Sequence, residues 1–275
     1  MSKTTTAQKR AEFRALHQQG CFVLPNPWDA GSARMFQKLG FVAAATTSTG
    51  FAWTNGRADY AVTREEVMQH LTSMCAAVDI PLNADFESGF ASEPEGVARN
   101  VGLALQTGIA GISIEDRRVD GVAGLYDSKL AAERIQAARA SIDESGEDDV
   151  VLVARTERLL SSPDAITQAI DSLVAFAEAG ADCLYAPGVQ KKEDIAAMVR
   201  AVAPQPVNVL VMNPAMTVAE LAGLGVRRVS VGGSLALVAW GATLAAAERM
   251  KAGSFEGLAA AMSGARLNDT FRGFD

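Results

Sequence analysis

Short apolar runs alternate with amphipathic helical stretches eight times along this 275-residue chain, and that repetition constrains the fold more than any other feature. The runs are Cys21–Leu24, Val42–Thr46, Pro81–Ala84, Gly111–Ile114, Val150–Ala154, Cys183–Tyr185, Val207–Val211 and Val229–Val231. Most lack strict apolar–polar alternation, as parallel strands buried on both faces do. Helix starts stand between them. Thr63 with Glu66, Ser92 with Glu95, and Thr217 with Glu220 have capping-box spacing, and Ser162-Pro163 reads as a cap followed by proline at the first helical position. Gly40, Gly108, Gly180 and Gly225 follow helices and suit left-handed C-caps. Eight such units predict an α/β protein, a (β/α)8 TIM barrel, whose usual size is about 250 residues. A single domain is expected over residues 1–275, with the barrel at about 20–251. A polar N-terminal extension precedes it. After the helix Ser234–Lys251 comes a C-terminal helical appendage, 252–275, in which Phe255–Ala265 reads as helix.

A net charge of −7 argues against non-specific nucleic-acid binding, which needs clustered Lys and Arg. No apolar run reaches the roughly 18 residues of a membrane span, and the opening MSKTTTAQKR has no apolar segment of the secretory kind. The expectation is therefore a cytoplasmic protein with no nucleic-acid or membrane partner. Cys21, Cys75 and Cys183 are odd in number, far apart and set in apolar stretches, so they read as core thiols.

In a barrel of this kind the chemistry occurs at the C-terminal strand ends. Those positions carry Thr47-Ser48-Thr49-Gly50, Asp85-Phe86-Glu87, Glu115-Asp116-Arg117, Arg155-Thr156-Glu157, Asn213 and Gly232-Gly233-Ser234. Asp85, Glu87 and Glu115 would converge on one edge of the mouth. Gathering carboxylates in a cleft is costly unless protons or a cation offset the repulsion. A hard, oxygen-seeking ion such as Mg²⁺ fits. The alternative is that these acids are helix caps or ion-pair partners, above all Asp116. His17 and His70 fall within helices rather than at strand ends and read as solvated surface residues, so a His-ligated zinc site or a Ser-His-Asp hydrolase is hard to build. The turns at Thr49-Gly50 and Gly232-Gly233 offer backbone N–H groups to an anion. No glycine-rich nucleotide motif is present.

At these residues the chain resembles the isocitrate lyase / phosphoenolpyruvate mutase superfamily. The resemblance runs from about Leu24 to about Ala239, on LPNPWDAGSA (Leu24–Ala33), TTSTG (Thr46–Gly50), GRAD (Gly56–Asp59), NADFESGF (Asn83–Phe90), GISIED (Gly111–Asp116) and ARTE (Ala154–Glu157). It implies a Mg²⁺ site, with Mn²⁺ as a substitute, on Asp85, Glu87 and Glu115, with Asp59 nearby. Ser48, Thr49 and Gly50 would bind a substrate carboxylate, Arg155 would face the reacting group, and Asn213 would contact the far end of the substrate. Asp59, Glu115 and Arg155 are thus the implied catalytic residues, and Asp85 also meets the substrate. The resemblance further implies a homotetramer, a dimer of dimers, in which the C-terminal helix swaps between subunits.

The loop after the fourth strand departs from the family pattern. Isocitrate and methylisocitrate lyases carry K-K/R-C-G-H there, whereas this chain reads Arg117–Tyr126 with neither Cys nor His. The Lys-x-Asn-Ser signature of phosphonate chemistry is also missing, and Ala186-Pro187-Gly188 stands where the lyases place a Glu. Asp120, Tyr126 and Asp127 are candidate replacement acids, although Asp127 reads first as a helix cap. Decarboxylation needs the least machinery. The leading expectation is therefore Mg²⁺-dependent C–C cleavage of a small 2-oxo or 2-hydroxy acid through an enolate, in the manner of an oxaloacetate decarboxylase. Phosphonopyruvate hydrolase-like or mutase-like P–C chemistry, and a non-catalytic barrel that binds 2-oxo acids, are the alternatives.

Overall fold

A computed structural model describes residues 4–147 and 149–274; the first three residues of the polar opening and the last of the tail lie outside them. All eight expected strands form: β1 (Phe22–Leu24), β2 (Ala44–Ala45), β3 (Leu82–Asp85), β4 (Gly111–Glu115), β5 (Val151–Arg155), β6 (Cys183–Tyr185), β7 (Val207–Leu210) and β8 (Arg228–Ser230). Every pairing is parallel, in the order β1-β8-β7-β6-β5-β4-β3-β2. The β1–β2 seam is closed without a ladder. Ala45 N–H donates to Pro25 O at 3.1 Å. The Asn26 side chain donates to Thr46 O at 3.2 Å and accepts the Val231 and Gly232 N–H groups at 2.9 Å. Asn26 thereby ties three strand ends together, and the Gly232 N–H is already occupied rather than open to an anion.

Strand parity decides what the barrel mouth contains. Successive side chains point to opposite faces. On β5, Val151 and Val153 pack in the barrel interior while Leu152 and Ala154 pack outward against helices. Arg155 is the next inward position, at the rim. The register sets Glu115 opposite Arg155 and Arg155 opposite Tyr185, so β4, β5 and β6 present these three side chains at one level. Asp85 pairs with Ser113, the inward position before Glu115.

Thr63 and Thr217 cap their helices in full capping boxes, and Asp127 caps Ser128–Glu144. Gly40, Gly108, Gly180 and Gly225 all have positive φ. Two expected caps are not formed. Pro94 starts its helix after Glu93, one residue beyond where Ser92 would have to cap. Ser162 ends the short helix Arg158–Ser161, and the next helix begins only at Ile166 because Pro163 restrains the backbone between them. The tail divides into a 3₁₀ turn, Glu256–Ala260, whose Gly257 lies against the Ala246 backbone, and a helix, Gly264–Phe271, capped by Ser263. That helix packs on Ala30–Lys38 of the same chain, where Phe271 approaches Gly31 and the Arg34 guanidinium sits over the Phe274 ring.

The N-terminal helix Thr6–Leu16 closes the barrel bottom. Phe13 enters the interior core, and a Cβ on Gly111 would stand 2.6 Å from its ring. The cations on the buried face meet carbonyls. Lys9 donates to Val78 O at 2.6 Å, and Arg10 donates to Ile109 O at 3.0 Å and Leu105 O at 2.8 Å.

Neither histidine is the solvated surface residue the sequence suggested. His17 is buried against Phe13 and Phe22 at the same barrel end, and His70 is half-buried, stacked on Phe51 at 3.9 Å. Among the cysteines only Cys183 is fully buried; Cys21 and Cys75 are half-buried. Burial, aided by Arg228, pushes the His17 pKa down to about 3, and burial pushes His70 down to about 4. Below its ordinary value the unfolded chain binds a proton that folded His17 refuses, so its contribution is present above about pH 6.5 and is lost as pH falls toward 3. We expect the stability gap between wild type and His17→Gln to shrink by about 2 kcal/mol from pH 7 to pH 5. Urea midpoints at the two pH values check this; a constant gap would contradict it.

Candidate active site

Arg155 is the centre of the mouth. Its guanidinium is paired with Glu157, lies 3.4 Å from Glu115 and 3.6 Å from Asp85, and stands over the Tyr185 ring at 5.2 Å. Asp85 is fixed from the other side, because Ser48 donates its N–H at 2.9 Å and its hydroxyl at 2.8 Å to one carboxylate oxygen. Glu115 accepts the Tyr60 hydroxyl at 2.9 Å. Buried Arg134 holds the backbone beneath, donating to the carbonyls of Glu115 (3.1 Å), Ala91 (2.9 Å) and Ser88. Asp116 is structural, as its alternative reading had it. It accepts the Thr156 hydroxyl at 2.6 Å and the Glu157 N–H at 2.9 Å, locking the ends of β4 and β5 together.

The remaining acids lie beside this cluster. Glu87 adopts φ 47° on the turn after β3, a left-handed conformation uncommon for a non-glycine residue. Its Oε1 is buried with no hydrogen-bond partner. Burial, then the neighbouring Asp85 and Asp59, push its pKa up to about 8. Burial also raises Asp59, whose carboxylate accepts a hydrogen bond from Thr49. Glu115 is raised well above the usual carboxylate range, mainly by burial, with Glu157 and Asp85 also raising it against Arg155's opposing pull.

These residues fit a divalent cation in chemistry. They are hard oxygen donors whose mutual repulsion a cation would offset, and one of them has a bare buried oxygen. Among the described residues no group of three or more His, Cys, Asp or Glu side chains is already drawn together as a metal cage.

The cavity above Arg155 has a volume of about 560 Å³. Thr47, Thr49, Asp59, Tyr60, Asp85 and Arg155 line its inner side. The loop after β4 leans over it as a small hairpin, pinned by the Arg117–Leu125 bridge and by Arg118 N–H to Gly124 O at 3.1 Å.

The structure thus gathers Ser48, Thr49, Asp59, Asp85, Glu87, Glu115 and Arg155. Gly50 is present but sterically committed: its N–H caps onto Thr47, and a Cβ there would meet Thr47 and Trp28 at 2.7 and 2.9 Å. Asn213 is not brought in. It is exposed, and its side chain accepts the Ala215 N–H at 3.0 Å. Tyr60, Glu157 and Tyr185 were not singled out from sequence. Glu157 was visible inside the ARTE motif, and Tyr60 directly follows GRAD. Tyr60 too has a positive φ, 61°.

A model of the phosphoenolpyruvate phosphomutase family matches residues 13–251. A solved Burkholderia cenocepacia structure, provisionally described as a lyase/mutase, is 41% identical with a TM-score of 0.92, covering 97% of each chain. The oxaloacetate decarboxylase of Paraburkholderia xenovorans is 27% identical over 205 residues, 72% of this chain and 67% of its own. A structure of oxaloacetate acetylhydrolase in complex with the product oxalate is 25% identical, covers 98% of this chain and 95% of that one, and has a TM-score of 0.85.

Proposed function

The chain belongs to the phosphoenolpyruvate phosphomutase family, in the isocitrate lyase / phosphoenolpyruvate mutase superfamily, and on that footing we propose that it is a metal-dependent carbon–carbon lyase. Its substrate would be a small 2-oxo or 2-hydroxy carboxylic acid, cleaved with decarboxylation or in retro-aldol fashion to leave an enolate. The observation that carries this reading is the set of acids from separate strand ends packed around Arg155 at one rim.

Asp85, Glu87 and Glu115 would hold Mg²⁺, or Mn²⁺ in its place, and the ion when bound would supply Lewis-acid stabilisation of the charge that develops on the C2 oxygen. Arg155 presents a fixed positive charge to that oxygen, held in position by Glu115, Glu157 and Asp85 rather than by reorganising water. Ser48 orients Asp85. Thr49 orients Asp59 and, with the first turn at Gly50, forms the rim against which the substrate carboxylate is placed. The 117–125 hairpin covers the cavity and limits water around the reacting carbon. With neither thiol nor imidazole on that hairpin, the released enolate takes its proton from solvent. This favours loss of CO₂, which needs no base.

Crystals grown with Mg²⁺ and oxalate, a mimic of the pyruvate enolate, test the assembly. Density for the ion beside Asp85, Glu87 and Glu115, with oxalate facing Arg155, is the expected result. Acids turned away from a bare rim would overturn it. The name of the matching family favours a second reading, chemistry at a P–C bond. Phosphate release from phosphonopyruvate, assayed beside pyruvate release from oxaloacetate, separates the two.

The protein would work as a homo-oligomer, a tetramer built as a dimer of dimers. Supporting this, the helix Ser234–Lys251 exposes Leu237, Val238, Trp240 and Leu244, and the tail exposes Phe255 and Leu258. So much apolar surface on adjoining elements is what an association face would present. Trp240→Glu with Leu244→Glu should convert the assembly to monomers in light scattering; a wild-type chain that is itself monomeric at micromolar concentration would contradict this.

A further inference from the structure

Arg155 already faces three carboxylates, so a second anionic group on the substrate calls for another positive charge in the outer cavity. Two more arginines line it. Arg118 is taken, its guanidinium paired with Asp120 at 3.0 Å. Arg117 is different. Its guanidinium carbon stands over the Tyr60 ring, 3.7 Å from the centroid, and among the described residues it has no carboxylate within ion-pair distance. Stacking on a ring holds the plane of a guanidinium while leaving its N–H edges directed outward, the geometry that takes a carboxylate in two parallel hydrogen bonds. Leu125, Leu160, Leu210 and Met212 also line the cavity, with Ser161 beside them, and Leu160 and Met212 are exposed.

We infer that Arg117 is a specificity residue that receives a second, distal carboxylate of the substrate, and that the substrate is a dicarboxylic acid whose remaining substituent is alkyl. One unpaired guanidinium suits one distal carboxylate, so a tricarboxylate would leave a charge against the leucines. An alkyl group placed there covers Leu160 and Met212 and leaves water with them. The inference rests on the inner-site reading above and extends it to the far end of the same cavity.

Calorimetry with saturating Mg²⁺ tests it with four probes: oxalate, which reaches only the inner site, then malate, 3,3-dimethylmalate and citrate. The wild-type chain should bind 3,3-dimethylmalate more tightly than malate, and citrate most weakly of the three. Arg117→Met should weaken both malates by about 10- to 100-fold, as expected for a lost charge-assisted pair, and leave oxalate within about twofold. Arg117→Lys should fall between. Arg117 is exposed, and an unchanged melting temperature confirms that the variants fold. Malate affinities unmoved by Arg117→Met, an equal loss for oxalate, or a preference for malate or citrate over the dimethyl acid would each overturn the proposal while oxalate still binds. Failure of oxalate to bind the wild-type chain would instead remove the inner-site reading, and this one with it.

Discussion

Asp85→Ala should lower metal-dependent turnover by about 10³-fold, with the fold intact. Asp85 is gripped from both sides, by the Ser48 N–H and hydroxyl on one oxygen and by Arg155 near the other. Its removal takes a donor from the cation, frees Ser48 at the rim where the substrate carboxylate is placed, and loosens one of the three restraints on Arg155. Asp85→Asn keeps the shape but not the charge and should lose nearly as much. Steady-state rates across a Mg²⁺ titration, with circular dichroism as the control, make the measurement. Turnover that survives unchanged in both variants would mean that the cation is held elsewhere or not at all.

Arg155→Met should fail in two ways at once. Turnover falls by about 10²- to 10³-fold because the fixed positive charge is gone. At pH 7.5 the fold should also be about 3–5 kcal/mol less stable, the usual cost of leaving a buried charge without its partner. Glu115 and Glu157 are both buried, and Glu115 already holds its proton above the ordinary range. A carboxyl whose folded pKa is raised contributes fully below its unfolded value near 4.5 and loses that contribution as pH rises toward the folded value. Without Arg155 the rise is larger, so the deficit of the variant should narrow between pH 8 and pH 5. Urea unfolding at both ends of that window measures it. A deficit that does not change with pH would show that Arg155 acts by packing rather than by charge.

Much of this was legible before any coordinates. Parallel strands buried on both faces announce themselves as short apolar runs, and in this fold the residue that ends each run belongs to the mouth. Hence Asp85, Glu115 and Arg155 could be placed together from order alone. What stayed hidden depends on side-chain reach or on unusual backbone. Tyr60 reaches Glu115 from a left-handed residue on a loop, and Glu87 is turned inward by the same kind of backbone. Asn213 sits just past β7 and looked equivalent to the other strand-end residues, yet its own turn draws its side chain away. The first helix misled for a different reason. Its buried face is Lys9, Arg10, Phe13 and then His17, a polar stripe that resembles a solvent face until the carbonyls at the ends of neighbouring helices and strands are seen to receive it.

That helix has a consequence for how the molecule is made. Arg10 must find carbonyls 95 and 99 residues downstream, and Arg14 an aspartate 168 residues away. The helix Thr6–Leu16 therefore waits, with Phe13 uncovered, until the chain as far as β6 has been synthesised. Its docking is a late event, and a nascent chain halted before β6 would display a sticky amphipathic segment with no home, a natural target for chaperones.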